Sequence, residues 1–440
     1  MNSTIFDFRG HWRQLTQRPT FHEPVVDGIR AMAVLWVLIL HMAFFHYGTF
    51  AKETQAIFTG PATKWIGGGS LGVDLFFVIS GFLIGSLLFK EFLKAGDICF
   101  GRFYVRRFLR LIPVYVVVML LGMPLMRDIP KSAILMDMPP SGNAENLWAN
   151  LLYVNNFLPF AKQYMGWCWS LAIEEQFYLL APAALVLFLR LGRGRVRILV
   201  ALLAFSGVLR WVVLHANGFD FPYLGTPDSA SWHARFDIAY DKPHMRYGGL
   251  LAGIIGAYLT CYRKEGLRRF FENKRLVAPI ALGSLGLMVH VAYTRDSSTM
   301  FGSMPVWAGQ AWIALSRDVF AMAAMFLILT ATFTPELFGG WLRRILAWKA
   351  FYPVAQLSYS IYLVHEIVFL WLFPKMAPLL AGRLGAYGTM AVDSLVGLVL
   401  VLGLSSLLYV TVERPCMEMR SLPWIRGLGS PKDKAGTAVA

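Results

Sequence analysis

Apolar runs of about twenty residues, separated by short polar stretches, recur from residue 27 to residue 412. That length matches the roughly 20 residues a helix needs to cross a bilayer. The pattern predicts ten spans, at roughly 27–48, 71–90, 109–126, 169–190, 198–215, 247–262, 277–293, 307–333, 354–373 and 389–412. The expected fold class is therefore an all-α polytopic membrane protein. The stretch 145–168, "ENLWANLLYVNNFLPFAKQYMGWC", is broken by polar residues. With Trp148, Tyr153, Tyr164 and Trp167 it suits an interfacial or re-entrant piece on the outer side. The loop 216–246 carries Asp220, Asp228, His233, Asp237, Asp241 and His244 and reads as solvated, with contact to an acceptor as the alternative. The chain divides into a cytoplasmic N-terminal segment (1–24), a membrane domain (25–415) and a short cytoplasmic tail (416–440), with no internal repeat.

Composition supports this reading. Of 440 residues 57% are hydrophobic and 15% charged, with a net charge of +15. In a soluble protein that excess would suggest nucleic acid. Here Lys and Arg gather in alternate inter-span segments, as they do in loops facing the cytoplasm, so the charge implies membrane lipids and no nucleic-acid partner. Ten spans then leave both termini cytoplasmic. The first 24 residues are polar and no small-residue cleavage site follows the first apolar run, so that run is expected to remain as a span. Cys99, Cys168, Cys261 and Cys416 show no metal-ligand spacing and are expected to form no disulfide.

Ionisable side chains inside spans are costly and usually face the bundle interior. In "DGIRAMAVLWVLILH" (27–41), Arg30 and His41 are eleven positions apart, which places them within about 20° of one helix face and roughly 16 Å apart along the axis. "GVDLFFVISGFLIGSLL" (72–88) carries Asp74, Ser80 and the pair Gly81/Gly85, whose spacing allows close helix approach. "FYVRRFLR" holds Arg106, Arg107 and Arg110, and arginines forking onto phosphates are a common device for anionic ligands. In "WSLAIEEQFYLLAP", Ser170, Glu174 and Tyr178 share a face at four-residue spacing, favouring Glu174 over Glu175 as the inward carboxylate. "LSYSIYLVHEIVF" aligns Ser358, Tyr362 and His365. Arg317 and Asp318 are expected to neutralise one another, and Arg210 has no evident partner. A cationic entrance with a histidine deeper in the membrane suits a donor with a polyanionic head and a long thin arm. Coenzyme A has that shape.

These same stretches, with "RFYVRRFLRLIPVY" and the closing "VERP", resemble the integral-membrane acyltransferase 3 family. That family includes bacterial O-acetylases of O-antigen, exopolysaccharide and peptidoglycan, and acyltransferases of nodulation factors and macrolides. The resemblance runs from about residue 25 to 415. It implies ten or so helices in a bacterial inner membrane and acyl transfer from cytoplasmic acyl-CoA, by default acetyl-CoA, to a hydroxyl of a surface glycan or lipid-linked saccharide. The family's arginine–ten residues–histidine motif falls on Arg30 and His41, and its arginine motif on Arg106, Arg107 and Arg110. Its Phe-Phe-x-x-Ser-Gly motif falls on Phe76, Phe77, Ser80 and Gly81, and its glutamate and tyrosine on Glu174 and Tyr178. The implied roles are catalysis by His41, as general base or transient acyl carrier, with Glu174 and then Asp74 as carboxylate partners. Acyl-CoA is held by Arg30, Arg106, Arg107, Arg110 and Ser80. Tyr178, Glu175, Ser358, Tyr362 and His365 serve as acceptor contacts or support. Acyl-CoA is a co-substrate, and no permanently bound cofactor or metal is expected. Several members add a periplasmic hydrolase-like domain. This chain ends soon after "VERP", so it is expected either to finish the transfer itself or to pass the acyl group to a separate periplasmic transferase. The alternatives are transfer to a small macrolide-like glycoside, and proton-coupled transport.

Overall fold

The computed structural model describes residues 5–19, 23–128, 143–192, 194–219, 233–294, 305–334 and 337–428. Among them there is no strand. Eight helical stretches are long and apolar enough to cross a membrane. In chain order the long helices are α1 (Pro24–Phe44), α2 (Leu71–Ala95), α3 (Phe100–Arg127), α4 (Trp169–Arg190), α5 (Arg195–Ala216), α6 (Pro243–Tyr262), α7 (Lys274–Thr294) and α8 (Val306–Phe333). The last helical stretch, Phe351–Leu408, runs for 58 residues. A straight helix of that length would be about 87 Å, far beyond a bilayer's roughly 30 Å core. It is broken at Gly385, whose φ of 65° and ψ of 179° are open to glycine alone among the common residues. The two halves, α9 (351–384) and α10 (386–408), fold back on one another, with Gly397 packed against the rings of Phe369 and Phe373. Each of the ten expected spans thus falls on a helix. The largest boundary differences are that α9 runs on to residue 384 rather than 373 and that α3 begins at Phe100 rather than near 109, so the arginine motif lies inside a span helix rather than before it; α1 stops at Phe44.

The closest helix pair is α2 with α6. A Cβ at Gly81 would overlap the Leu250 carbonyl, and one at Gly253 would overlap the backbone of Val78 and Phe82. With no hydrophobic drive between helices in lipid, such close backbone packing supplies the association energy. The pair is also riveted electrostatically. Asp74 of α2 binds Arg246 of α6 at 3.3 Å and Arg317 of α8, while Asp318 binds Arg210 of α5. The neighbours Arg317 and Asp318 therefore do not neutralise one another, because adjacent helical positions point about 100° apart. Arg210, without evident partner in the sequence, has Asp318.

The segment 145–168 folds back into the protein as a series of short turns. Tyr153, Tyr164 and Trp167 are buried, as are Asn150, Asn155 and Asn156, whereas Trp148 stays half exposed. Residues 233–242 pack onto it: Asp237 accepts from the Phe160 amide at 2.8 Å, Gln163 donates to Asp241 at 2.5 Å, and Lys242 donates to the Asn156 carbonyl at 2.9 Å. Burial raises the Asp241 carboxyl to about 6, against the pull of Lys242. The expected solvated loop is thus, in its described part, an ordered wall. Asp220 and Asp228 lie outside the described residues.

Overpacking the α2–α6 seam should cost about 1–3 kcal/mol. Gly253→Leu is expected to lower the melting temperature of the detergent-solubilised protein. Gly286→Leu on α7, where an added Cβ meets nothing, should leave it unchanged. Equal melting temperatures for the two variants would refute the close-approach account.

Candidate active site

Two cavities lie between α1, α2, α4 and α9, the first bordered also by α3 and the second also by the 145–168 segment and residues 235–240. The first, of about 770 Å³ including its mouth, is lined by Arg30, Ser80, Arg107, Arg110, Glu174 and Tyr178, among others. The second, of about 910 Å³, is lined by His41, Glu366 and a set of aromatic side chains that includes Phe45, Trp167, Trp169 and Tyr240. Val73 and Tyr362 border both. Arg30 and His41, on one face of α1, therefore open into adjoining spaces.

In the first cavity Ser170, Glu174 and Tyr178 all face inward from α4, as four-residue spacing requires. The Ser80 and Tyr178 hydroxyls are 2.6 Å apart, and Tyr178 donates to Glu174 at 3.4 Å. Arg30 donates to Ser358 at 2.9 Å, its partner here being a neutral hydroxyl. Arg107 lies over the Phe103 and Tyr178 rings, 5.7 Å from each centroid. Among the described residues neither Arg107 nor Arg110 has a carboxylate within 4 Å, whereas Arg102, on the same helix, is bonded to Glu91 at 2.6 Å. Arg106 is exposed and stands off the cavity lining, as does Glu175. The pair that shares the cavity is thus Arg107 with Arg110.

The second cavity brings together two histidines and a carboxylate. His365 is fully buried, and its Nδ1 faces the carbonyls of Tyr362 at 2.8 Å and Ile361 at 3.2 Å. Carbonyls only accept, so this nitrogen carries the proton. In the neutral ring Nε2 is then bare. It lies 2.8 Å from His41 Nδ1, which must be the donor. That assignment, made from the hydrogen-bond network, leaves His41 Nε2 with a free lone pair on the side of the cavity. Glu366 Oε1 is 3.4 Å from it. A carboxylate there pairs with the nitrogen once it has taken a proton.

Two expectations need correction. The carboxylate beside His41 is Glu366, on α9, whereas Glu174 lies in the arginine cavity. Asp74 is absent from the lining of either cavity, its oxygens being held by Arg246 and Arg317. Glu366 was visible in the sequence as the residue after His365 in "LVHE", but nothing local marked it as the partner of a residue more than 300 positions away. Tyr362 donates its one hydroxyl proton to the Trp167 carbonyl at 2.8 Å and therefore accepts from Ser170 at 2.6 Å, which fixes it between the cavities. His41, His365 and Glu366 each bring one ligand atom within 4.8 Å of the others, close enough to hold a metal ion. The direct bond between His41 and His365 uses nitrogens that would have to turn to an ion, so the cluster is better suited to proton handling.

The chain is 29% identical over 357 residues to the O-acetyltransferase OatA of Staphylococcus aureus (strain NCTC 8325 / PS 47), covering 78% of this chain and 50% of that protein. It is 26% identical over 399 residues to the nose resistant to fluoxetine protein 6 of Caenorhabditis elegans, covering 78% and 44%. A putative O-acetyltransferase of S. aureus (strain COL), SACOL0978, is 37% identical over 243 residues, covering 54% and 34%. The chain thus spans about half, or less, of the length of these curated relatives. No solved structure matches it. The acyltransferase 3 family profile, described as an acyltransferase domain, matches residues 24–410, and the chain belongs to that family.

Proposed function

We propose that this membrane acyltransferase moves an acyl group, acetyl by default, from cytoplasmic acyl-CoA to a hydroxyl of a cell-surface glycan or lipid-linked saccharide. The observation that carries this reading is the pair of adjoining cavities. One holds arginines that, among the described residues, have no carboxylate within 4 Å, and the other holds a histidine nitrogen free to take a proton. A polyanionic nucleotide supplies the charge that Arg30, Arg107 and Arg110 lack. A pantetheine arm has a reach comparable to the roughly 16 Å between Arg30 and His41 along α1. The aromatic lining of the second cavity offers flat apolar faces of the kind that receive sugar rings, and the O-acetyltransferase relatives favour acetyl.

In the proposed step, the acceptor hydroxyl gives its proton to His41 Nε2 as its oxygen attacks the thioester carbonyl. The C–S bond breaks, and the leaving CoA thiolate takes the proton back. His365 holds the imidazole in the required tautomer. Glu366 stabilises the transient imidazolium, the role first sought in Glu174. The arginine-bearing mouth opens to the cytoplasm of a bacterial plasma membrane, with the N-terminus on that side, as the distribution of Lys and Arg favours.

His41→Ala is expected to lower kcat by about 10²–10⁴-fold while the protein still inserts. Product formation from labelled acetyl-CoA by purified protein measures this, and wild-type turnover would exclude His41. Glu366→Gln should lower kcat about 10-fold or more with the KM values little changed, since the charge pair forms only as the proton moves. Arg107→Ala should raise the KM for acetyl-CoA about 10-fold and leave that for the acceptor alone. An unchanged donor dependence would count against the arginine cavity. For the acceptor, mass spectrometry of the surface polysaccharide, with and without the protein, should show one added acyl mass.

A further inference from the structure

Basic residues gather at the arginine mouth from a second direction. After α10 the chain turns back through Tyr409–Glu413 and three short helices, Arg414–Glu418, Met419–Ser421 and Pro423–Gly427, all of which pack against α3. Ile425 is fully buried, which anchors this return. The packing carries Arg420 into electrostatic range of Arg106, Arg107 and Arg110. Its Nε and Nη2 are buried and make no hydrogen bond among the described residues. Of the acids of the same segment, Glu413 stands within electrostatic range of Arg110, Arg30 and Arg420 but makes no ion pair with them within 4 Å. Glu418 lies 3.5 Å from both Arg414 and His11, and Glu413 accepts from Ser360 at 2.9 Å. Four guanidinium groups thus share one end of α3 with, among the described residues, no carboxylate within 4 Å and only Glu413 in electrostatic range from the same segment, an excess of positive charge that a bound polyanion relieves.

Their order matters. Arg30, Arg107 and Arg110 line the cavity, whereas Arg106 and Arg420 stand outside its lining. Outward from its thioester, an acyl-CoA presents pantetheine, then the diphosphate, then the ribose with its 3′-phosphate. With the arm in the cavity, the diphosphate meets the inner arginines and the ribose phosphate remains at the mouth. We propose that Arg420, which lies beyond the residues matched by the family, binds the ribose 3′-phosphate of the donor and sets the preference for CoA thioesters over donors without that phosphate. This rests on the acyl-CoA reading above and adds a specificity residue to it.

The test is calorimetric titration of the full chain in lipid nanodiscs with CoA and with dephospho-CoA, which lacks only the 3′-phosphate. Wild-type protein should bind CoA about 10-fold or more tightly than dephospho-CoA, as one charge-assisted contact warrants. Arg420→Ala should bring CoA down to the dephospho-CoA affinity and leave dephospho-CoA unchanged, which also reports that the variant is folded. Arg420→Lys should keep part of the preference and carries the test if the alanine variant does not fold. Arg107→Ala should weaken both ligands. Equal wild-type affinities, or an Arg420 effect that is absent or the same for both ligands, would overturn the assignment while leaving the donor reading intact. Wild-type protein that binds neither ligand would overturn both.

Discussion

An arginine held among apolar side chains needs a counter-charge or a strong acceptor, and that requirement divides the interior arginines of this protein into two kinds. Arg210, Arg246 and Arg317 are satisfied by Asp318 and Asp74, and by stacking: the Arg246 guanidinium lies 4.1 Å from the centroid of Tyr240 and 4.5 Å from that of Trp169. These ion pairs tie α2, α5, α6 and α8 together and hold the aromatic wall of the second cavity in place. Among the described residues Arg30, Arg107 and Arg110 have no carboxylate within 4 Å. In the proposed reading they keep their charge for the donor. The first set is then structural and the second a site, and the difference lies in the partners rather than in the residue type.

This explains what the sequence could and could not convey. Helical spans follow from local apolar length, so every expected span falls on a helix, and inward faces follow from four-residue spacing, as for Ser170, Glu174 and Tyr178. Pairing between helices obeys no local rule. Asp74 looked like a free carboxylate because Arg246 stands one position before the expected start of its span and Arg317 seemed occupied by Asp318. Glu174 looked like the partner of His41 because the sequence offers no measure of which helix flanks α1. The loop around Tyr240 looked solvated because its acidic residues are polar, yet Asp237 and Asp241 spend that polarity on the backbone and side chains of the re-entrant segment.

The histidine pair shows how little is needed to set up a base in such surroundings. Two backbone carbonyls of α9 fix the proton on His365 Nδ1, which bares its Nε2, which in turn draws the proton of His41 to Nδ1. One hydrogen-bond chain thus determines the tautomer of a ring on another helix and keeps its reactive nitrogen unprotonated without any nearby cation. Glu366 then has an asymmetric effect. Against a neutral imidazole with a bare Nε2 it has no proton to accept, but against the imidazolium it forms a charge pair. A carboxylate so placed favours the protonated intermediate over the resting state, which is what a transition-state contribution requires.

The same economy governs the wall between the cavities. Tyr362 borders both and is pinned by Ser170 and the Trp167 carbonyl, while its own carbonyl receives the His365 proton. In the proposed mechanism one residue therefore partitions donor space from acceptor space and helps to set the tautomer of the base. A thin partition suits the proposed donor, whose arm is only a few atoms wide, because its thioester would reach the imidazole while the nucleotide stays behind at the arginines. A side chain that yielded freely would instead leave the base open to water from the donor side and waste the thioester by hydrolysis. The two hydrogen bonds on the Tyr362 hydroxyl give the wall the stiffness that this separation demands.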